Sequence, residues 1–369
     1  MLRSDPANRR TFDALGTLLM TQHPRNHNGD QWFEREIEYV AGLDRDQLGN
    51  FLEQAEMQRV RRRTLEVLKQ NLPHVRSGPI ADLLDRMISE EQQRVGIALT
   101  CLRQIVGHFE LHGCPIMVMK TLDHWPDTGS DLDLLVAASD GEVCGIFQND
   151  LQAIKQSQSW GDRLAHKFNF RVPDLPELVE VHVGCLGQTG EQIPLAVGAL
   201  SRRVQQMYGE YSLPVPLPED RIVIATLQRM YRHYYIRLTD IVNIFGLLTN
   251  RRVDFDRLKA IAEVGSIWPG VATLLTIVCQ HGLRYGGQSI CLPESVTAAA
   301  RFNSERTYLD RKFVRVPLVP EAADLFLHQL AGTGRKHNFR AMMRLTLLPV
   351  LATAAFVSFR VTGDDKGVW

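Results

Sequence analysis

The chain has 369 residues and a mass of 41.8 kDa. At ~150 residues per domain, this length predicts roughly two or three lobes rather than one small domain. Hydrophobic residues make up 44% and charged residues 23%, which excludes a mainly disordered chain, a collagen-like fibre and a multispan membrane protein. Because forty-two basic residues balance forty-two acidic ones, general nucleic-acid binding is not expected.

The cysteines and the first residues both bear on the cellular compartment. Six cysteines are scattered along the chain without a close pair, so they do not form a disulfide framework. Residues 1–10 are polar and contain no apolar segment of the kind that a secretory signal requires. We therefore expect free thiols in a reducing, cytoplasmic compartment.

The first ninety residues are predicted to be helical. Apolar residues recur at helical spacing between Asp30 and Leu43, a longer amphipathic stretch runs from Asp44 to about Leu72, and another helix runs from about Ile80 to His112. Pro73 and the Ser77-Gly78-Pro79 turn separate the last two. The longer stretch contains the densest basic cluster, which we interpret as a solvated helix face, with a nucleic-acid patch as the alternative. The cluster consists of Arg59, Arg61, Arg62 and Arg63.

The pattern changes to short apolar runs in the next hundred residues or so, which predicts an α/β block. Strands are predicted at Pro115–Met119 and Leu132–Ala137, followed by a helix over Gly141–Ser157. Phe168–Val172 and Leu178–Val183 then alternate like paired strands.

Helices return after a proline-rich link formed by Pro214, Pro216 and Pro218. One long helix is predicted from Glu219 to Leu248, and Gly332–Lys336 is interpreted as a linker. The other predicted helices lie around Phe255–Val264, Pro269–Tyr285 and Glu321–Leu330.

The end of the chain contains an uncharged run of fifteen residues, Leu345–Phe359. A membrane-spanning helix needs ~20 apolar residues, so this run is short for a crossing. The preferred interpretation is a buried C-terminal helix that docks on the body. The alternative is an interfacial anchor, because Arg340, Arg344 and Arg360 flank the run.

The most informative residues are Asp131 and Asp133, which lie at i and i+2 in a predicted strand. Their carboxylates therefore project from one face, next to the turn 127–130. Such a pair suits Mg²⁺, which takes one or two carboxylates and completes its octahedron with water and phosphate oxygens. Glu180, in a neighbouring predicted strand, is the best third carboxylate, because a lone charge among valines is costly unless it faces a site. His182 shares its face, where it would orient Glu180 or the substrate, and a partly buried structural histidine is the alternative.

These residues carry a resemblance to a known superfamily. Met119, Lys120 and Thr121 take the places of a hydrophobic residue and a small pair. Nine residues, 122–130, then separate them from Asp131 and Asp133, which alternate with leucines. The segment resembles the signature of nucleotidyltransferases with the polymerase-β-type fold. Over about residues 95 to 290 the chain looks most similar to the bacterial uncharacterised nucleotidyltransferase family, whose members often occur in settings of polysaccharide biosynthesis.

The resemblance implies an α+β fold with a small mixed-sheet nucleotidyltransferase core between N-terminal and C-terminal helical regions. The expected divisions are an N-terminal helical region (1–90), the core (91–215), a C-terminal helical lobe (216–335) and an apolar tail helix (336–369).

The implied activity is Mg²⁺-dependent transfer of a nucleoside monophosphate from a nucleoside triphosphate, such as ATP, to a hydroxyl or phosphate, with release of pyrophosphate. A glycan precursor or other small acceptor is favoured, and a tRNA or protein acceptor is an alternative. Asp131 and Asp133 would bind two magnesium ions, and Glu180 would bind the catalytic ion and take the acceptor's proton. The expected triphosphate contacts are Lys120, Thr121, Gly129 and Ser130.

The predicted helical lobe would close over the nucleotide, so Arg232 or Arg237 would contact phosphate, and a surface salt-bridged helix is the alternative. Thr121 stands where the family has a glycine. This departure and the apolar tail favour a rival hypothesis, a non-catalytic platform that contacts the membrane through the tail.

Overall fold

Helices surround three small sheets in the computed structural model. The structure describes residues 6–21, 27–72, 79–250, 252–310, 312–351 and 353. The predictions for residues 1–5, for the breaks at 73–78 and for part of the apolar run, at 352 and 354–359, lie outside the described residues.

The N-terminal region is helical, as the sequence predicts. Its helices are α1 (Pro6–Met20), α2 (His27–Ala41), α3 (Arg45–Met57), α4 (Arg61–Asn71) and α5 (Pro79–Leu111). The stretch from Asp44 to Leu72 is two helices rather than one, because Arg59 has a positive φ of 57° and ends the first. Asp44 begins α3 with a capping box, accepting from the backbone N–H of Gln47.

The main sheet has five strands in the order β1-β2-β5-β4-β3. Strand β2 pairs antiparallel with β1 and parallel with β5, which makes the sheet mixed, as expected. β1 is buried along its whole length, and from its second residue β2 is apolar at every position except Asp133. The strands are β1 (Ile116–Met119), β2 (Asp131–Val136), β3 (Ile154–Lys155), β4 (Lys167–Arg171) and β5 (Leu178–Val183).

Short elements complete the middle of the chain. The predicted helix over 141–157 is wrong in its second half, where a π-helical turn at Ile146–Asp150 is followed by β3. Pro214 belongs to a strand and lies opposite Gln205, so the proline-rich link begins inside a hairpin. The elements are α6 (Asp140–Gly145), α7 (Trp160–Leu164), α8 (Ile193–Arg202), β6 (Val204–Tyr208) and β7 (Tyr211–Val215).

The C-terminal half is helical, but the predicted helix from Glu219 to Leu248 is wrong. It is interrupted after a π-helical turn by Tyr234, whose left-handed backbone (φ 54°) leads into β8. β8 pairs with β10, so the aromatic and β-branched residues follow their strand preference. Gly332 lies inside α14 rather than in a linker. The elements are α9 (Pro218–Gln228), β8 (Tyr235–Ile236), α10 (Leu238–Thr249), α11 (Phe255–Val264), α12 (Trp268–Gly286), α13 (Glu294–Thr297), β9 (Tyr308–Asp310), β10 (Phe313–Arg315), α14 (Ala323–Arg335) and α15 (Phe339–Leu345).

The two faces of the main sheet belong to different cores. Met117, Met119 and Leu135 pack with the N-terminal and C-terminal helices in one large cluster. Val118 and Leu134 point to the opposite face and pack with α5 and the β6–β7 hairpin. The two helical regions thus share one core, while the three boundaries between the four expected divisions stay predictions. Within the described part of the chain, every helix is too short or too polar to cross a lipid bilayer.

Candidate active site

The parallel pairing of β2 and β5 brings the predicted acidic residues together. Asp133 lies directly opposite Glu180, and Asp131 lies opposite Leu178 at the start of the strand. Among the described residues, Asp133, Glu180 and His182 form a group whose ligand atoms all lie within 4.8 Å of one another. Carboxylate and imidazole groups at this distance can hold a divalent metal ion. Asp131 is not part of this group.

An ammonium group lies beside all three members of the group. Lys120 Nζ is 2.6 Å from Asp133 Oδ1, 3.6 Å from Glu180 Oε1 and 3.3 Å from His182 Nε2. These distances place a positive charge next to the ligand atoms of all three residues. Lys120 therefore acts as the counterion of the group in this structure.

The backbone of Lys120 has an unusual conformation. Its φ is 58° and its ψ is −56°, values that favour glycine because they bring the Cβ of other residues close to the backbone. The residue after β1 whose backbone conformation favours glycine is thus Lys120. The resemblance predicts a glycine at the next position, which Thr121 occupies. Strain of this kind is concentrated at functional sites, where the surrounding structure holds it.

A second lysine, from β4, was not predicted for the site. Lys167 is 1% exposed, and its Nζ lies 2.8 Å from Glu180 Oε1. Burial, and then the nearby guanidinium of Arg232, lower the pKa of Lys167 to about 8. Burial alone would raise the pKa of Glu180, but the ammonium groups of Lys167 and Lys120 hold it well below its usual range.

Asp131 differs from Glu180 in its surroundings. Burial of part of the carboxyl group, and then the neighbouring Asp133, raise the pKa of Asp131. Ser130 donates a hydrogen bond to Asp131 Oδ2 at 3.0 Å, and both residues are exposed overall. Asp131 is therefore the more basic and more accessible of the two carboxylates.

The remaining predicted phosphate contacts have mixed positions. Thr121 is 1% exposed, and its hydroxyl accepts from the Asp133 backbone N–H at 2.8 Å and donates to the Asp131 carbonyl at 3.2 Å. This hydroxyl therefore braces the start of β2 rather than facing a ligand. A Cβ at Gly129 would lie 3.2 Å from the Asp131 carbonyl, so the turn requires a small residue there.

Arginines from the N-terminal helices hold the loop before β2. Arg63 contacts Asp127 Oδ2 at 2.7 Å and the His124 carbonyl at 2.6 Å, and its side chain is 13% exposed. Arg94, in α5, donates to Thr128 Oγ1 at 2.9 Å. The basic cluster is thus not the solvated face that we predicted. Sequence reasoning missed this role because the partners are more than thirty residues apart, and no local spacing signals them.

Within the described structure, Lys120 and Gln228 line two cavities, and His182 of the group lines the smaller one. The larger measures about 230 Å³, lies against α10 and is also lined by Arg63 and Arg221. The smaller measures about 30 Å³ and contains Arg232. Arg237 does not line either cavity, because its guanidinium packs on the rings of Tyr235 and Phe313, 5.5 and 5.9 Å from their centroids.

Comparisons with known proteins leave the family open. No protein-family model matches the chain, and no curated protein is significantly similar to it. The resemblance to nucleotidyltransferases therefore stays a prediction.

Proposed function

We propose that the chain is a magnesium-dependent nucleotidyltransferase. An acceptor hydroxyl or phosphate oxygen bonds to the α-phosphorus of a nucleoside triphosphate, the bond from that phosphorus to the β-phosphate oxygen breaks, and pyrophosphate leaves. The observation that carries this proposal is the pairing of Asp133 with Glu180 on parallel strands, where both carboxylates contact Lys120, which also lines a cavity together with Arg63 and Arg221. In-line displacement at phosphorus needs this combination of metal-binding carboxylates and groups that neutralise phosphate.

The donor set fits magnesium. Asp131, Asp133 and Glu180 offer carboxylate oxygens, the ligands that Mg²⁺ prefers, and the proposal includes two ions. Bound magnesium would neutralise charge on the triphosphate and on the attacking and leaving oxygens. Lys120 must leave the group for the carboxylates to serve as ligands, and it lines both adjoining cavities, where a phosphate would take the place of its present partners.

Glu180 is proposed to bind the catalytic ion and to take the acceptor's proton, as expected from the sequence. The ammonium groups of Lys167 and Lys120 hold the pKa of this carboxyl low, which keeps it in the ionised form that both roles require. Asp131, exposed at the start of β2, is proposed as a ligand of both ions.

A small acceptor remains favoured over a macromolecule. The larger cavity is about 230 Å³, and apolar residues of α10 contribute to its wall together with amide side chains. Arg232 borders the smaller cavity and is proposed to contact phosphate, whereas Arg237, packed on aromatic rings, is left out. A cytoplasmic location, inferred from the free cysteines, belongs to this proposal.

The test is ligand-induced stabilisation, which needs no knowledge of the acceptor. The melting temperature of the full chain is followed against each of the four NTPs, with and without Mg²⁺. A ligand at 100 times its Kd adds about 2.7 kcal/mol, which shifts the melt visibly. We expect one or more NTPs to stabilise the wild type only with Mg²⁺, and Asp131→Asn with Asp133→Asn to abolish the shift.

The matched control is Asp256→Asn, which removes an exposed carboxylate of α11. It should leave the shift unchanged. Absence of a magnesium-dependent shift with every NTP would refute the proposal and favour the non-catalytic platform. A shift that survives the double substitution would show that the nucleotide binds elsewhere.

A further inference from the structure

The last helix, α15, is held against the body of the protein by one face. Ala341, Leu345 and the following Leu348 are buried, at 6%, 0% and 6% exposure. The guanidinium of Arg344 donates hydrogen bonds to two backbone carbonyls of the loop between β5 and α8, at 2.7 and 3.0 Å. Asn338 caps the helix by accepting from the Ala341 backbone N–H. The orientation of α15 is therefore fixed by contacts on this side.

Apolar side chains on the other side of α15 and of the turn after it face solvent. Phe339, Met343 and Val350 are 63%, 65% and 66% exposed, and Leu347 is 40% exposed. In chain order, Phe339, Met343, Leu347 and Val350 follow one another at intervals of four, four and three residues, which is the spacing of one helical face. We call these four residues the apolar row. The described part of the predicted apolar run, 345–351 and 353, is thus neither wholly buried nor wholly exposed.

The stretch of sequence that contains the apolar row carries charge of one sign. Between Asp324 and Asp364 the sequence contains five basic residues and no acidic one. Arg335 and Arg340 are exposed beside the row, whereas the ammonium of Lys336 donates to the carbonyl of Glu263. A row of large apolar side chains flanked by arginines is typical of helices that lie in the interface of a membrane.

The charge decides between the candidate partners. A second copy of this chain would bring the same basic residues against themselves, which opposes pairing through this face. An anionic lipid surface offers the opposite charge together with an apolar layer for the row. We infer that the apolar row and its arginines bind peripherally to a membrane that contains anionic lipids. This inference does not depend on the proposed transferase activity.

The test is sedimentation of the full chain with vesicles. The vesicles are made of phosphatidylcholine alone or of an equimolar mixture with phosphatidylglycerol. We expect binding to the mixed vesicles only, weakened by added salt because surface charge is screened. Phe339→Ser with Met343→Ser should lower the affinity roughly tenfold or more, because both side chains lose their burial in the lipid. Arg340→Gln should lower it about fivefold.

The matched control is Val197→Ser with Met207→Ser, which removes two apolar side chains that are 59% and 61% exposed elsewhere on the surface. Binding to mixed vesicles that the control variant retains, and that Phe339→Ser with Met343→Ser loses, supports the inference. Equal loss in both double variants would overturn it, as would failure of the wild type to bind mixed vesicles. A dimer in light scattering that Phe339→Ser with Met343→Ser dissociates would also overturn it, in favour of a second copy. Circular dichroism confirms that each variant is folded.

Discussion

Replacing Lys120 by methionine tests whether its ammonium competes with a divalent metal ion for Asp133 and Glu180. Methionine keeps an unbranched side chain of similar length and the same Cβ, so the backbone penalty at φ 58° is unchanged. Only the positive charge and its hydrogen bonds are lost. In the wild type, a metal ion must first displace the ammonium from its partners at 2.6 and 3.6 Å.

The size of the effect follows from the contact that must be broken. A hydrogen bond between charged groups is worth about 1.5–3 kcal/mol net in a protein. If Lys120→Met removes one such competing interaction, the Kd for the metal falls by about ten- to a hundredfold. The loss of like charge beside the ion acts in the same direction.

The assay is titration with Mn²⁺ followed by electron paramagnetic resonance of the free ion, which is independent of catalysis. Lys155→Met is the control, because Lys155 lies on β3 at the far edge of the sheet and contacts Cys144. We expect tighter Mn²⁺ binding in Lys120→Met alone. Equal affinities in the wild type and Lys120→Met would refute the counterion argument, and no Mn²⁺ binding in either would refute the metal site itself.

Two further predictions concern stability. Both ring nitrogens of His281 are buried without a hydrogen-bond partner in the described structure, and burial lowers the pKa of its imidazole from 6.5 to about 4. The imidazole of the unfolded chain takes up a proton at a higher pH than that of the folded chain. As the pH falls from 6.5 to 4, the wild type should therefore lose up to about 3 kcal/mol of unfolding free energy. Urea unfolding across this range should show a correspondingly smaller loss for His281→Phe. A Cβ at Gly282 would overlap the ring of Phe245, so Gly282→Ala should cost about 1–3 kcal/mol. Gly96→Ala, in open space on α5, should instead stabilise by about 0.5–1 kcal/mol, and thermal unfolding that ranks the two alanines in the reverse order would contradict this packing argument.

The strands of the site were predictable because their signals are local. An apolar run before the acidic pair, its apolar continuation and the alternation around Glu180 all act over a few residues. The structure pairs β4 with β5, as predicted, and the two strands run antiparallel. The helix break at Tyr234 was not predictable in this way, because the strand that replaces the helix is completed by β10, about eighty residues further along the chain.

The positive charges at the site were harder to predict than the place of the site in the sequence, because the cations and the carboxylates come from different elements. Asp133 and Glu180 stand out in the sequence as acids among apolar residues. Lys167 gives no such signal, and only the pairing of β4 with β5 brings its ammonium to Glu180. A sequence pattern therefore identifies the ligands that a metal site needs, but not the positive charges that oppose metal binding. Because Lys120 and Lys167 both contact these acids, we expect the affinity of the proposed metal site to be set by competition, and the response to Lys120→Met measures its strength.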